Sequence, residues 1–377
     1  MIITIVSDVY GPLNNGTVIT MHRLIEHLQE RGHTVKVVCP GIEEKEGRYA
    51  LPIRYIWPVN WYIKRNGVLL ARINDKVLRK AIEGSDIVHI ITAFRVGNRA
   101  AKIATEMGIP VTVATHTQAQ NITAHFHVQN WNGLNIHIYK QFYRHLYKYA
   151  AHVHCPTEFI ASQVRDCGFD MQLHVISNGV EPDYKKREVI ANPLYKDKFC
   201  ILTVGRLAPE KRHDILIEAV KLSKHEKDIQ IFIAGCGPLY NKTKNWGKML
   251  TNQPIIDFYP QEDLITLINR CDLYVHPADF EIEAISCIEA FTCGVVPIIA
   301  NSEFSATRAF ALHDENLFKA RDPLDLAKKI DWMIEHSAEK NKMSTEYIEY
   351  GKSFSIEHSI DQMIEMFNAA VKDVKKS

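Results

Sequence analysis

Asp279–Asn301 reads DFEIEAISCIEAFTCGVVPIIAN: an acidic run, a helix-like segment, a break at Gly294, and the apolar run Val295-Val296-Pro297-Ile298-Ile299-Ala300. A segment with helical spacing that stops on glycine and leads into a strand-like run suits an alternating α/β chain. At about 100° per residue, Ala284, Ile285, Cys287, Ile288 and Phe291 gather on one side, and Glu289 falls near the opposite, polar side with Ser286 and Glu283. Glu281 is expected at the helix mouth, where unpaired N–H groups and the helix dipole attract anions. Such a helix can face a diphosphate with its first turn and hold hydroxyls with a carboxylate two turns in. An amphipathic helix with solvated acids fits the same residues, so both readings stand at this point.

Upstream, Phe199–Val204 reads as a strand, Gly205-Arg206-Leu207-Ala208-Pro209-Glu210-Lys211-Arg212 as a loop, Asp214–Lys224 as a helix, and Ile229–Ala234 as the next strand before the turn Gly235-Cys236-Gly237-Pro238. Ile255–Tyr259, Leu273–Val275 and Val295–Ile299 complete the strands of this half. The first half begins the same way. Strand Ile2–Asp8 leads through Tyr10–Gly16 to a helix over Val18–Arg31, which Gly32 stops before strand His33–Cys39. Ile87–Ile91, Val111–Thr115, Ala151–Cys155 and Leu173–Ser177 continue the pattern. A chain of 377 residues is too long for one compact core. The turn Ser177–Pro182 and the Lys185-Lys186-Arg187 run mark the link, so two doubly wound α/β domains are predicted, with any ligand in the cleft between them. No G-x-G-x-x-G follows the first strand, which argues against a dinucleotide oxidoreductase.

Composition is that of a soluble globular protein, 46% hydrophobic and 24% charged. The eight cysteines (39, 155, 167, 200, 236, 271, 287 and 293) form no C-x-x-C pair and read as buried free thiols in a reducing compartment. No run approaches the ~20 apolar residues of a membrane span, and no basic lead precedes IITIVSD, so a cytoplasmic protein without a signal peptide is expected. The net charge of +1 hides +5 in residues 1–185 and −4 in the remainder. A basic first half suits an anionic surface. Nucleic acid is not an expected partner: no basic run carries base-reading or stacking motifs, and the pI near 7.7 is low for that role.

Trp57–Glu83 carries Trp57, Trp61 and Tyr62, then Lys64, Arg65, Arg72, Lys76, Arg79 and Lys80, against only Asp75 and Glu83. Leu69, Leu70, Ile73, Val77 and Ile82 recur at roughly helical spacing. A basic amphipathic helix led by aromatics suits an anionic membrane surface; a helix packed on its own sheet fits too. Ile136–Tyr149, dense in Tyr, Lys, Arg and His, reads as an acceptor groove or a half-buried helix. His116 directly follows the strand at Val111–Thr115, and ligands of open α/β sheets bind at the carboxyl ends of strands; the alternative is a structural histidine. The Asn15-Gly16 corner allows an anion or sugar close to the backbone, or is a plain turn. Arg206 offers a bidentate grip on phosphate oxygens and Lys211 a point charge, unless both are solvated and paired with Glu210 and Asp214.

Four motifs in the second half, Ser177-Asn178-Gly179-Val180, Gly205-Arg206-Leu207 with Glu210-Lys211, Ala234-Gly235-Cys236-Gly237-Pro238, and Glu281-x7-Glu289 followed by Ala290 and Cys293-Gly294, resemble the retaining glycosyltransferase family 4. The resemblance spans nearly the whole chain and implies the GT-B fold: a Rossmann-like acceptor-binding domain over 1–180, a facing Rossmann-like nucleotide-sugar domain over 181–355, and a terminal helix, 356–377, crossing back to the first. It implies that Arg206 and Lys211 hold the donor diphosphate, that Glu289 binds the ribose and that Glu281 contacts the transferred sugar near its 3-hydroxyl. The backbone of Ile282, Glu283 and Ala284 would meet sugar and phosphate, and His116 the donor sugar; Gly16, Gly205 and Tyr259 are expected beside the donor.

Two positions depart from the family pattern: Asn15-Gly16 stands where many members have Gly-Gly, and Ile282 where glycine is commonest. The tract HPADFEIEAISCIEAFTCGVVPIIANS, with His116-Thr117-Gln118, resembles the branch that glycosylates membrane lipids such as diacylglycerol or ceramide. The implied reaction moves an α-hexosyl group, glucose or galactose, from a UDP-sugar to a lipid hydroxyl at the inner face of the cell membrane. Trp57, Trp61, Lys64, Arg65, Arg72 and Lys76 are the expected membrane or acceptor contacts. No cofactor and no metal are expected, since the paired-aspartate motif of metal-dependent transferases is missing. A polysaccharide or glycan acceptor, a sugar-nucleotide epimerase and a non-catalytic binder are the alternatives.

Overall fold

The structure, a computed structural model, describes residues 1–10, 16–55, 69–124, 128, 130–189 and 193–376. The chain divides into two compact units, Met1–Asn178 with Glu357–Ser377, and Gly179–Ile356.

The first unit is built on seven parallel strands in the order Arg48–Leu51, Thr34–Pro40, Ile2–Val6, Ile87–Ile90, Val111–Ala114, His152–Cys155, Gln172–Val175. Ile87–Ile90 and Val111–Ala114 are buried at every residue, as a parallel sheet covered on both faces requires. The strand order reverses between Ile2–Val6 and Ile87–Ile90, the switch point where such sheets open at their carboxyl ends. Here Asp8 fills the opening itself. Its carboxylate accepts the N–H of Val96 at 2.7 Å and of Gly97 at 2.8 Å, in the first turn of helix Arg95–Glu106. Burial pushes its pKa up to about 6 against the pull of those amides.

The second unit has six parallel strands in the order Ile255–Asp257, Ile229–Ala234, Phe199–Val204, Leu273–His276, Pro297–Asn301, Leu317–Lys319. Its order reverses between Phe199–Val204 and Leu273–His276. Helix Ile285–Thr292 is seated by Phe291, fully buried, whose ring lies 5.4 to 5.8 Å from those of Phe310, Tyr347, Tyr350 and Phe354.

The last helix, Ile356–Lys376, puts Ile360, Met363, Phe367 and Ala370 on one buried stripe. Within the first unit Phe367 meets the ring of His89 at 5.2 Å, Asp361 pairs with Arg31, and Asp373 lies 3.0 Å from His152.

The helix expected over 57–83 is corrected at 69–74; residues 57–68 lie outside the described residues. Leu69–Leu70 is a short strand antiparallel to Val9–Tyr10, and Ala71 bridges Ile53. Backbone bonds from Ala71 N to Asp8 O (2.9 Å) and Arg54 N to Leu70 O (2.7 Å) hold it there, and these partners lie outside any local window. Among the described residues of this stretch, Asp75–Ile82 is helical, capped by Asn74. Arg72 and Lys76 are exposed, whereas Trp57, Trp61, Lys64 and Arg65 lie outside the described residues. Among the described residues no helix is long and apolar enough to cross a membrane. All eight cysteines are free; six are buried, and Cys167 and Cys236 are half-buried.

Candidate functional site

Two loops meet at the switch point of the second unit. Past strand Phe199–Val204, Gly205 N donates to Ala234 O and Leu207 N to Cys236 O, each at 3.0 Å. The backbones run so close that a Cβ on Gly235 would stand 2.0 Å from Gly205 O, and one on Gly237 2.6 Å from Leu207 O. The Gly-Cys-Gly turn is therefore needed for the loops to touch. Gly235→Ala is expected to destabilise the protein by about 1–3 kcal/mol, the scale of an overpacked site, seen as a lower midpoint in denaturant unfolding; an unchanged midpoint would refute the close approach.

Pro209–Lys211 then makes one 3₁₀ turn, and Arg212, at φ 51°, swings the chain into helix His213–Leu222. Lys211 is thereby carried to the carboxylate of Glu281, with side chains only 20% and 14% exposed. Arg206 stays 45% exposed, 2.9 Å from Glu210. Of the expected loop pairings, Arg206 with Glu210 is present, but Asp214 is taken by Arg212.

Glu281 is not in the first turn of the helix. It lies in an extended segment bridged to Ser305, and its carbonyl accepts the N–H of Ala306 at 2.9 Å. The helical path starts only at Ile285, because Ala284 takes a left-handed φ of 61°; among the described residues no side chain caps that end. The Glu281 carboxylate also lies 3.2 Å from Nε2 of His276. Burial pushes its pKa up, but Lys211 and His276 outweigh that and hold it down at about 2. His276, buried at the end of strand Leu273–His276, is kept neutral by desolvation against the pull of Glu281. Its Nδ1 is 3.2 Å from the hydroxyl of Tyr274, which lies 3.1 Å from Ser286 Oγ; Ser286 donates to Val204 O at 3.4 Å. A polar chain thus runs from the end of the strand that precedes Arg206 to Glu281. Sequence reasoning missed His276 and Tyr274; the available signal was a histidine closing an apolar strand five residues before Glu281.

Glu283 and Glu289 are 3% and 6% exposed, which overturns the expectation of a polar, solvated helix face. The helix packs against both Ser337–Gly351 and the sheet, so little of it faces water. Buried Tyr274 feels the charges of both Glu281 and Glu289. Tyr259 is half-buried past the edge strand Ile255–Asp257, two strands from Phe199–Val204; the contacts described do not join it to Lys211 or Glu281.

Two candidates belong to the first unit. His116 is half-buried just past Val111–Ala114, its ring 5.6 Å from that of His154 at 85°; burial and then His154 push its pKa down to about 3, so it is neutral. Gly16 opens helix Gly16–Glu30, and none of the described residues comes within 4 Å of where a Cβ would stand. Among the described residues no group of three or more His, Cys, Asp or Glu is placed to hold a metal.

Residues 14–184 match the family model Glycosyltransferase Family 4, and residues 185–354 match Glycosyl transferases group 1. The chain belongs to glycosyltransferase family 4. This glycosyltransferase is 26% identical to a GDP-mannose-dependent alpha-mannosyltransferase of Corynebacterium glutamicum, over 79% of this chain and 72% of that one. It is 23% identical to an alpha-monoglucosyldiacylglycerol synthase of Streptococcus pneumoniae, over 80% of this chain and 71% of that one. In fold it is similar to Anabaena HepE, solved in complex with UDP and glucose, with a TM-score of 0.75 and 17% identity over 97% of this chain and 99% of that one. Two doubly wound α/β units of this kind are the GT-B fold.

Proposed function

We propose that this glycosyltransferase moves an α-hexosyl group from a UDP-hexose to a membrane-lipid hydroxyl, with retention at the anomeric carbon. One observation carries the choice of donor site. In the second unit Arg206, Lys211 and an uncapped helix mouth at Ala284 stand at the switch point, whereas in the first unit Asp8 occupies the corresponding helix mouth. A diphosphate is welcome in the second unit and repelled in the first.

As UDP departs, negative charge grows on its β-phosphate and the anomeric carbon becomes cation-like. Lys211, Arg206 and the N–H groups near Ile282, Glu283 and Ala284 stabilise that charge without reorganising, so the proposed site uses no metal. The bond from C1 to the β-phosphate oxygen breaks, and the acceptor oxygen bonds C1 on the same face. Its proton passes to the departing phosphate, so no enzymic base is required. Glu281 takes a hexose hydroxyl and Glu289 the ribose, and Gly205 and Tyr259 border the nucleotide; for neutral His116 and for Gly16, in the first unit, the family resemblance supports a donor-sugar role.

The lipid acceptor is supported by the diacylglycerol-glucosylating relative and by the exposed cations Arg72, Lys76, Arg79 and Lys80, which suit an anionic inner membrane face. The mannosyltransferase relative favours a second reading, GDP-mannose as donor. The test offers UDP-glucose, UDP-galactose and GDP-mannose with vesicles holding diacylglycerol, ceramide or a sterol. Products are read by mass spectrometry and anomeric configuration by NMR. An α-hexosyl lipid from a UDP-sugar is expected; transfer only to a soluble glycan, or a β product, would overturn the proposal.

A further inference from the structure

Asp279 has no part in the donor reading, yet it ties together the segments that carry it. Its side chain is 7% exposed. Arg321 Nε lies 3.1 and 3.0 Å from its two oxygens and Arg321 Nη2 3.0 Å away, while Arg212 Nη1 donates at 3.4 Å. Arg212 grips Asp214 with a second pair of bonds, both 3.0 Å. The backbone closes the cluster: Asp279 N donates to Glu210 O at 2.8 Å, and Asp279 O accepts from Ser302 Oγ at 2.6 Å.

Both arginines carry left-handed backbone, φ 51° at Arg212 and 65° at Arg321. A residue with a side chain holds that conformation only where its surroundings over-determine it. The shared carboxylate supplies the constraint, and it keeps two guanidinium groups together that would otherwise repel. Arg212 directly follows Lys211, and Asp279 stands two residues before Glu281. One buried charge therefore fixes both ends of the Lys211–Glu281 pair.

We propose that Asp279 is a positioning residue: through Arg212 and Arg321 it clamps the Lys211 turn against the Glu281 segment and sets where the ammonium stands when a diphosphate arrives. The inference rests on the donor site proposed above. Asp279 touches no substrate and acts through Lys211.

The probe is UDP, titrated by calorimetry into the full chain. Asp279→Asn keeps the shape and removes the charge, and is expected to raise the UDP dissociation constant about tenfold, a coupling usual for residues sharing one network. In a Lys211→Ala background the same change is expected to do nothing further to UDP binding, because no ammonium remains to be placed. It should still lower the unfolding midpoint equally in both backgrounds. Equal losses of UDP affinity in both backgrounds, or unchanged affinity in the single variant, would overturn the clamp while leaving the donor site in place. Unchanged UDP binding in Lys211→Ala itself would remove the donor site, and the clamp with it. Should Asp279→Asn fail to fold, Arg321→Gln carries the same expectation, since it removes one arm and leaves the carboxylate paired with Arg212.

Discussion

Lys211→Ala is expected to cut hexosyl transfer by about 100-fold or more, the scale of losing one preorganised partner to a developing oxyanion. Three features make the effect large. The Lys211 side chain is only 20% exposed, so water screens its charge little. It is already held at the switch point before any donor arrives, so no reorganisation accompanies its use. Its removal also leaves Glu281 without its cation, and an unpaired carboxylate in a poorly solvated site opposes the diphosphate. Lys211→Arg is expected to recover little, because a planar guanidinium does not occupy the space of a compact ammonium. Initial rates on lipid vesicles measure this, and a wild-type rate from the alanine variant would take Lys211 out of the reaction.

Glu281→Gln is expected to move two quantities in opposite directions. Transfer should fall by about 100-fold, since the amide cannot hold a sugar hydroxyl and steady the cation-like ring as a carboxylate does. Binding of UDP alone should tighten, by about tenfold. In the proposed site the carboxylate would compete with the diphosphate for the Lys211 ammonium and repel the incoming phosphates; two unit charges at 4 Å still feel ~4 kcal/mol at an intermediate dielectric, so a gain of one power of ten is modest. In the proposed site a complete donor would offset this repulsion through its hexose, which UDP lacks, so the acid would separate substrate from product.

Neutral pH should leave the difference flat. The Glu281 pKa is depressed from 4.5 to about 2, so its ion pairing is fully present above the ordinary carboxylate range and is lost only as pH falls toward about 2. Calorimetry with UDP decides the matter: weaker binding to Glu281→Gln would mean that the two groups do not compete.

The alternation of strands and helices was legible because a parallel strand covered on both faces is mostly apolar. Ile87–Ile90 and Ile229–Ala234 announce themselves that way, buried at every position with one polar residue each, His89 and Gln230. Leu69–Leu70 and Leu317–Lys319 did not: they are short or partly exposed, and their pairing depends on residues far along the chain. The four motifs named Arg206, Lys211, Glu281 and Glu289 as a group, but their spacing says nothing of who pairs with whom. Lys211 and Glu281 are 70 residues apart, and Asp279 and Arg321 are 42 apart.

From the order of residues alone came the two-unit α/β architecture, the places of the Arg206–Lys211 and Gly235–Gly237 loops, and the acids later in the chain. Those features follow from local periodicity, glycine breaks and motif order, all of which act within a few turns of chain. Folding alone settled the state of each charge. Asp8 seals one helix mouth with amides 88 and 89 residues away, Glu281 stays ionised beside a lysine and a neutral histidine, and Glu289 is buried where its helical position suggested water. A carboxylate's ionisation and partners depend on how much water remains around it and which cation the fold delivers. No spacing along the chain encodes either.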